Sequence, residues 1–275
     1  MLPFAKVSAT GNDFLLLRAT GLPEPAPALA RRLCDRRRSL GADGLVTLRR
    51  RRDGAWRVVH LEPDGARTFC LNALRGVAAW ARAAGRWDGA ASLRLLTDAG
   101  PVSVREVQAG FEVELAPPRA LAPCRVELPD RVVQGTWVDV GNPQLVVTLA
   151  DGEALEAADL MDLGRALRWH PAFPGGTNVD FVAEVGGEWR VRTFERGVEG
   201  ETLACGSGVV ASACALARAR GTASSTWRLR TRGGEVHAVR LEAEGERWTR
   251  VASAAPAEVV ARGRVPAAHL TRAAA

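Results

Sequence analysis

Tyrosine is absent from this chain and lysine occurs once, at Lys6, so the net charge of +6 is carried by arginine. The arginines are scattered rather than gathered into a stripe, which argues against a nucleic-acid surface. With eight tryptophans and no tyrosine, they read as a bias of overall composition. The run of arginines at 49–52 lies beside Asp53 and Gly54, between "LVTL" and "WRVVHL", and reads as the solvated tip of a hairpin. Long apolar runs are also missing. The longest, 209–217, falls far short of the ~18 residues of a membrane span. The opening "MLPFAKVSATGNDF" lacks the basic flank and apolar stretch of a signal peptide, so a cytoplasmic protein is expected. No C-x-x-C pair occurs among the five cysteines (34, 70, 124, 205 and 214), and their number is odd. That pattern speaks against both a zinc site and a disulfide framework. The expectation is therefore free thiols, no metal and no cofactor.

What remains is the composition of a soluble globular protein, 47% hydrophobic and 25% charged, long enough for two ordinary domains. The pattern is strand-rich, with helices expected at about 26–38, 70–84, 153–169 and 205–219. A proline-rich break at 117–123 divides the chain, giving halves at 1–116 and 117–261, with 262–275 returning to pack on the first.

The two halves repeat one plan. Gly65 precedes Cys70 by five residues, and Gly200 precedes Cys205 by five. Each cysteine opens an alanine-rich helix ending at a glycine, Gly85 or Gly221. Each helix leads into a strand, a glycine turn (Gly100, Gly234) and another strand. A repeat of this length is a duplicated domain rather than a solenoid. Two such domains would set both helix starts at a common cleft.

A helix start suits an anion, because its first N–H groups are unpaired and carry partial positive charge. The same field favours thiolate over thiol and lowers a cysteine pKa from about 8.5. Two such ends could hold one carboxylate with a sulfur on either side of the neighbouring carbon. That geometry fits inversion at the α-carbon of an amino acid. One thiolate removes the α-proton, the other thiol delivers a proton to the opposite face, and helix N–H groups stabilise the developing charge. Cys34, Cys124 and Cys214 lack the matched spacing and are read as structural.

With "GNDF" (11–14), "GNP" (141–143), "NVDF" (178–181) and "ERGVEGETLACGSG" (195–208), the chain resembles the diaminopimelate epimerase family of amino-acid racemases that work without pyridoxal phosphate. The resemblance covers nearly the whole chain. It implies an α/β (α+β) fold of two pseudo-symmetric domains, each a curved mixed sheet or barrel around a central helix. It implies a homodimer, an amino-acid substrate, and interconversion of LL- and meso-diaminopimelate in lysine and peptidoglycan precursor synthesis. Cys70 and Cys205 would be the acid/base pair. Asn12, Asn142, Asn178, Glu195 and Arg196 would contact substrate, with Arg196 able to fork onto a second carboxylate. Backbone N–H groups of Leu71, Asn72, Gly206 and Ser207 would hold the reacting carboxylate.

The chain departs from the family pattern at several positions. Leu71 and Ala73 replace glycines, Gly44 a glutamine, Ser8 and Gln144 histidines, and Glu62 an asparagine at the substrate's distal end. A carboxylate at Glu62 would welcome a distal ammonium and repel a distal carboxylate. A racemase of another amino acid, a cationic one included, therefore stands as the alternative, with Glu62 and Gln144 as further substrate residues. A thiol redox switch and a non-catalytic binding module are the readings from other classes.

Overall fold

The strand-rich sequence resolves into eighteen strands and five α-helices among the described residues of a computed structural model, which are 1–20, 22, 26–245, 247–266 and 269. Contacts divide them between two units, Met1–Val113 with Ala255–Ala275, and Glu114–Ala254. Of the expected C-terminal return, residues 267, 268 and 270–275 lie outside the described residues.

In the first unit, β1 (Leu2–Ala9) runs antiparallel to β2 (Asn12–Arg18), and β2 runs parallel to β3 (Gly44–Arg50). Next comes β4 (Trp56–Leu61), antiparallel to β3; the two-residue β5 (Arg67–Thr68) pairs with the end of β4. The start of β4 pairs in parallel with β6 (Leu93–Thr97), and β7 (Gly100–Val107) and β8 (Gly110–Leu115) follow as antiparallel neighbours. Helix α1 (Ala26–Leu33) makes the first parallel crossover and α2 (Leu71–Ala83) the second. The far side of β1 is completed by a strand from the other end of the sequence, β18 (Glu258–Val265).

The second unit repeats this order and sense. Here β9 (Ala120–Glu127), β10 (Val132–Asp139) and β11 (Pro143–Thr148) are antiparallel neighbours, and β11 runs parallel to β12 (Asn178–Val185). Then β13 (Glu188–Glu195) carries the three-residue β14 (Gly200–Thr202) at one end and pairs in parallel with β15 (Ser225–Arg230) at the other. Strands β16 (Val236–Glu244) and β17 (Arg247–Ala255) complete it. The crossovers are α3 (Gly152–Ala157) with α4 (Arg165–Arg168), and α5 (Gly206–Ala219).

Helices α2 and α5 are central because they are apolar nearly all round; ten of 13 residues are buried in α2 and eleven of 14 in α5. Their alanines and glycines let strands come close. A Cβ on Gly76 would stand 2.6 Å from Val7 on β1. Contacts of α2 with β18, β1, β2 and β7 show the sheet curling around it, and α5 likewise touches β10 to β13, β15 and β16. Both helices stop the same way. Gly85 and Gly221 take φ of 61° and 64°, and the next residue's N–H reaches back to Ala81 O or Ala217 O. That is a Schellman ending, for which glycine avoids the left-handed penalty. The outer faces of the sheets bury separate clusters, Leu15, Leu17, Leu29, Leu33 and Leu45 in the first unit, and Leu145, Leu155, Leu167, Phe181 and Phe194 in the second.

Three expectations change. The first helix ends at Leu33 rather than 38, because the Asp35 carboxylate takes the N–H groups of Arg37 and Arg38 and turns the chain. The stretch 153–169 is broken rather than continuous. Asp151 caps α3, and Asp159 takes the amides of Met161 and Asp162 to start a separate π-helical turn, Leu160–Gly164. The proline-rich break is also shorter, since residues 120–127 form β9; the φ that Pro123 fixes is compatible with an extended strand.

Candidate active site

Cys70 follows β5 by two residues and is the N-cap residue of α2, extended at φ −132° and ψ 114°. The cysteine side chain makes no capping hydrogen bond to the first-turn amides of that helix. Two residues on, Asn72 donates through Nδ2 to Asn12 Oδ1 at 2.8 Å. It accepts Arg75 Nη1 at 2.7 Å on its own Oδ1. Asn12 in turn donates to Asp43 at 3.2 Å, whose other oxygen takes Arg36. The amides thus alternate donor and acceptor from the buried guanidinium out to the Asp13–Asp43–Arg36 surface cluster. In that cluster burial opposes ionisation of Asp13, but Arg36 and Lys6 hold its carboxyl down at about 2. Burial pushes Arg75 down to about 10 while the Cys70 thiolate pulls it back up. A fully buried cation is thereby coupled to the thiol.

Glu62 extends from the end of β4 and accepts the Thr68 hydroxyl at 2.7 Å, and burial raises its pKa. Thr68 has given its hydrogen to Glu62, so the bond of 2.8 Å to His60 Nδ1 requires that nitrogen to donate. His60 is buried and edge-on to Phe14, and burial pushes its pKa down to about 4. A small pocket beside Cys70 is lined by His60, Thr68, Phe69, Leu74 and Thr97. The side chain of Leu71 is buried, leaving its N–H as the group it can offer.

In the second unit Cys205 follows β14 by three residues and is the N-cap residue of α5, at φ −110° and ψ 106°. Its Sγ lies 3.4 Å from Ser207 Oγ, which also receives Gln144 Nε2 at 2.9 Å and Asn142 Nδ2 at 3.4 Å. Arg196 donates Nη2 to Asn142 Oδ1 at 3.2 Å and Nη1 to Gly175 O at 3.0 Å; its backbone N–H goes to Asn178 Oδ1 at 2.7 Å. Asn142, Gln144, Asn178, Arg196, Ser207 and Cys205 thus belong to one hydrogen-bonded cluster. Glu195 ends β13, and its charge acts on Cys205 and on Asp180.

The helix field does not leave Cys205 a low-pKa thiol. Burial raises its pKa well above the usual value, and the charges of Glu195 and Asp180 add to the rise. Ser207 and the amide of Gly208 act in the opposite sense. Asp180 is fully buried against the first turn of α5, where a Cβ on Gly208 would collide with its carboxyl. Burial raises Asp180 to about 7, offset in part by the Thr193 hydroxyl at 2.7 Å.

The strand registers relate the two units residue by residue. Phe14 faces Gly44 as Gln144 faces Asn178, and Val46 faces His60 as Asp180 faces Thr193. Glu62 and Glu195 therefore occupy equivalent positions, as do Gly11-Asn12 and Gly141-Asn142. Both turn glycines have positive φ, 88° and 92°. In each unit that asparagine bonds the residue two after the cysteine, Asn72 or Ser207. Arg75, His60, Thr68 and Asp180 are absent from the residues singled out in the sequence. The repeated Gly-Asn dipeptide was a signal available there.

Residues 136–256 match the family model described as diaminopimelate epimerase. A diaminopimelate epimerase of Desulforudis audaxviator is 38% identical over 240 residues, 78% of this chain and 82% of that protein. One from Gemmatimonas aurantiaca is 36% identical over 258 residues, 88% of each. The chain belongs to the diaminopimelate epimerase family. It is thereby an isomerase of the racemase and epimerase class. The same fold occurs in solved structures of much lower sequence identity. The solved structure of a probable proline racemase from Agrobacterium radiobacter superposes with a TM-score of 0.72 at 18% identity, covering 97% of this chain and 93% of that one. Within this member of the family, Gly44 has a local cause. His60 Nε2 fills the space where a Cβ would stand. Among the described residues no helix is long and apolar enough to cross a membrane.

Proposed function

We propose that this chain is a diaminopimelate epimerase that interconverts the LL and meso isomers with Cys70 and Cys205 as the proton-transfer pair. The observation that carries the reading is the duplicated construction of the two helix starts. Each repeated unit makes a cysteine the N-cap residue of its own central helix, and each ties the residue two positions later to a Gly-Asn turn.

In this scheme one sulfur, as thiolate, takes the α-proton, and the other, as thiol, returns a proton to the opposite face. The electron pair left on the α-carbon spreads into the carboxylate. Amides of Leu71, Asn72, Gly206 and Ser207 meet that charge at the helix starts, where it develops. Asn12, Asn142, Asn178, Glu195 and Arg196 bind the rest of the substrate, and Arg196 retains guanidinium donors for a distal carboxylate. The same reading makes the protein a cytoplasmic homodimer in lysine and peptidoglycan precursor synthesis, acting without a cofactor.

The test is α-proton exchange in D₂O across a panel of amino acids. Deuterium entering LL- and meso-diaminopimelate, with interconversion, supports the reading; exchange confined to another amino acid defeats it. Glu62 favours one alternative, a cationic substrate. It repeats in the first unit the carboxylate that Glu195 supplies in the second. Exchange into lysine or ornithine, with none into diaminopimelate, is the outcome that reading requires.

A further inference from the structure

The Ser207 hydroxyl has three neighbours and only one hydrogen. Gln144 Nε2 and Asn142 Nδ2 approach its oxygen at 2.9 and 3.4 Å, and Cys205 Sγ lies at 3.4 Å. An amide nitrogen can only donate, so these two groups use both lone pairs of the hydroxyl oxygen. The hydrogen that remains points to the sulfur.

Neither amide is free to turn over. Arg196 is donor-only and takes Asn142 Oδ1 at 3.2 Å, which leaves the nitrogen end for Ser207. Gln144 is wholly buried, with Oε1 unpartnered among the described residues. Turning it over would bury two unpartnered N–H groups in place of one oxygen.

We propose that the Ser207 side chain, aimed by Gln144 and Asn142, donates a hydrogen bond to Cys205 Sγ and so favours its thiolate. This role is separate from that of the Ser207 backbone N–H, and it rests on the reading of Cys205 as an acid/base. The groups facing the sulfur explain the need. Glu195 at the end of β13 and Asp180 on β12 both oppose a second negative charge, and the site is buried. The donors that oppose them are the Gly208 amide at the start of α5 and the Ser207 hydroxyl. Gln144, on β11, orients the hydroxyl without titrating, so the donor set is the same at every pH the enzyme meets. Gln144 is a positioning residue in this arrangement.

The test reads the thiol without substrate, so it does not depend on which amino acid is epimerised. The full-length protein is alkylated with iodoacetamide over a pH series, and the Cys205 peptide is followed by mass spectrometry. Losing a hydrogen bond to the charged form raises a pKa, so Ser207→Ala should move the Cys205 profile up by about one pH unit, roughly a tenfold slower reaction at fixed pH. Ser207→Thr should restore the wild-type profile, and Gln144→Leu should shift it in the same direction by less. The Cys70 peptide should be unchanged throughout. A Ser207→Ala profile that stays put or moves down overturns the proposal, since a downward shift means that the thiol is the donor. If Ser207→Ala lacks the wild-type melting transition, Gln144→Leu is scored by the same criterion. D₂O exchange on the wild type is run separately. A normal alkylation shift without exchange would count against the epimerase reading and leave the hydrogen bond standing.

Discussion

Asn72 and Asn12 join side chain to side chain at 2.8 Å, tying the first turn of α2 to the turn that opens β2. The bond also fixes the orientation of Asn72 Oδ1 toward the buried Arg75. Replacing Asn72 with leucine removes an acceptor from a buried guanidinium and a donor from Asn12. The expected loss is about 2–4 kcal/mol of unfolding free energy, read from urea denaturation. Asn72→Ser, which keeps a shorter acceptor, should lose less.

Alanine at Cys70 or at Cys205 should abolish α-proton exchange by the two-base scheme, at least a thousandfold in order of magnitude, since each sulfur carries one proton transfer. Neither thiol forms a disulfide, so stability should change by less than about 2 kcal/mol. Turnover within tenfold of wild type in either variant would exclude the scheme.

Asp180 gives stability a pH dependence of unusual sign for a carboxylate. Burial raises its folded-state pKa from 3.8 to about 7, so between those values the folded protein holds a proton that the unfolded chain has lost. Its contribution is complete below about pH 4 and lost as pH rises through 7, on the order of 4 kcal/mol. Asp180→Asn keeps the size of the side chain and cannot ionise. The gain in melting temperature over wild type should therefore grow from pH 5 to pH 8. A gain independent of pH would show that Asp180 ionises normally.

His60 works in the opposite direction. Its folded-state pKa is lowered from 6.5 to about 4 by burial, so the unfolded chain binds the extra proton in that window. Stability from this group is full above about pH 6.5 and falls as the solution is acidified toward pH 4. The two slopes oppose each other across that range and are separated by difference. His60→Gln should lose less stability than wild type between pH 7 and pH 4.5 in urea titrations.

Gly44 and His60 should be coupled. A methyl group at Gly44 would collide with His60 Nε2, while the Thr68 bond holds the other side of the ring. Gly44→Ala should cost about 1–3 kcal/mol as an overpacked site, and much of that should return in the Gly44→Ala, His60→Ala double variant. Additive losses would mean that the ring moves aside.

Much of the site was legible from local signals. The cysteines, the glycines that end their helices and the Gly-Asn turns are each set by short-range backbone chemistry, and spacing alone paired Cys70 with Cys205. The equivalence of the Gly-Asn turns escaped that count because Gly11 precedes Cys70 by 59 positions and Gly141 precedes Cys205 by 64. The connections between strands differ in length while the strands keep their register. Asp180 and His60 were hidden for another reason. Each sits in a strand whose neighbours are apolar, and only sheet pairing shows what its inward face meets. The broken helix at 153–169 was lost to competing aspartate caps, which an apolar pattern does not register.

The pairing of β18 with β1 has a consequence for the order in which the protein is made. Domains generally fold as units while the chain is synthesised, and the second unit is contiguous from Glu114 to Ala254. The first unit is made earlier but lacks the strand beside β1 until Glu258–Val265 has left the ribosome. The half of the protein that is translated second can therefore mature first. A nascent chain stopped just before Glu258 should expose the β1 edge to proteases while β10, with β9 already beside it, stays protected.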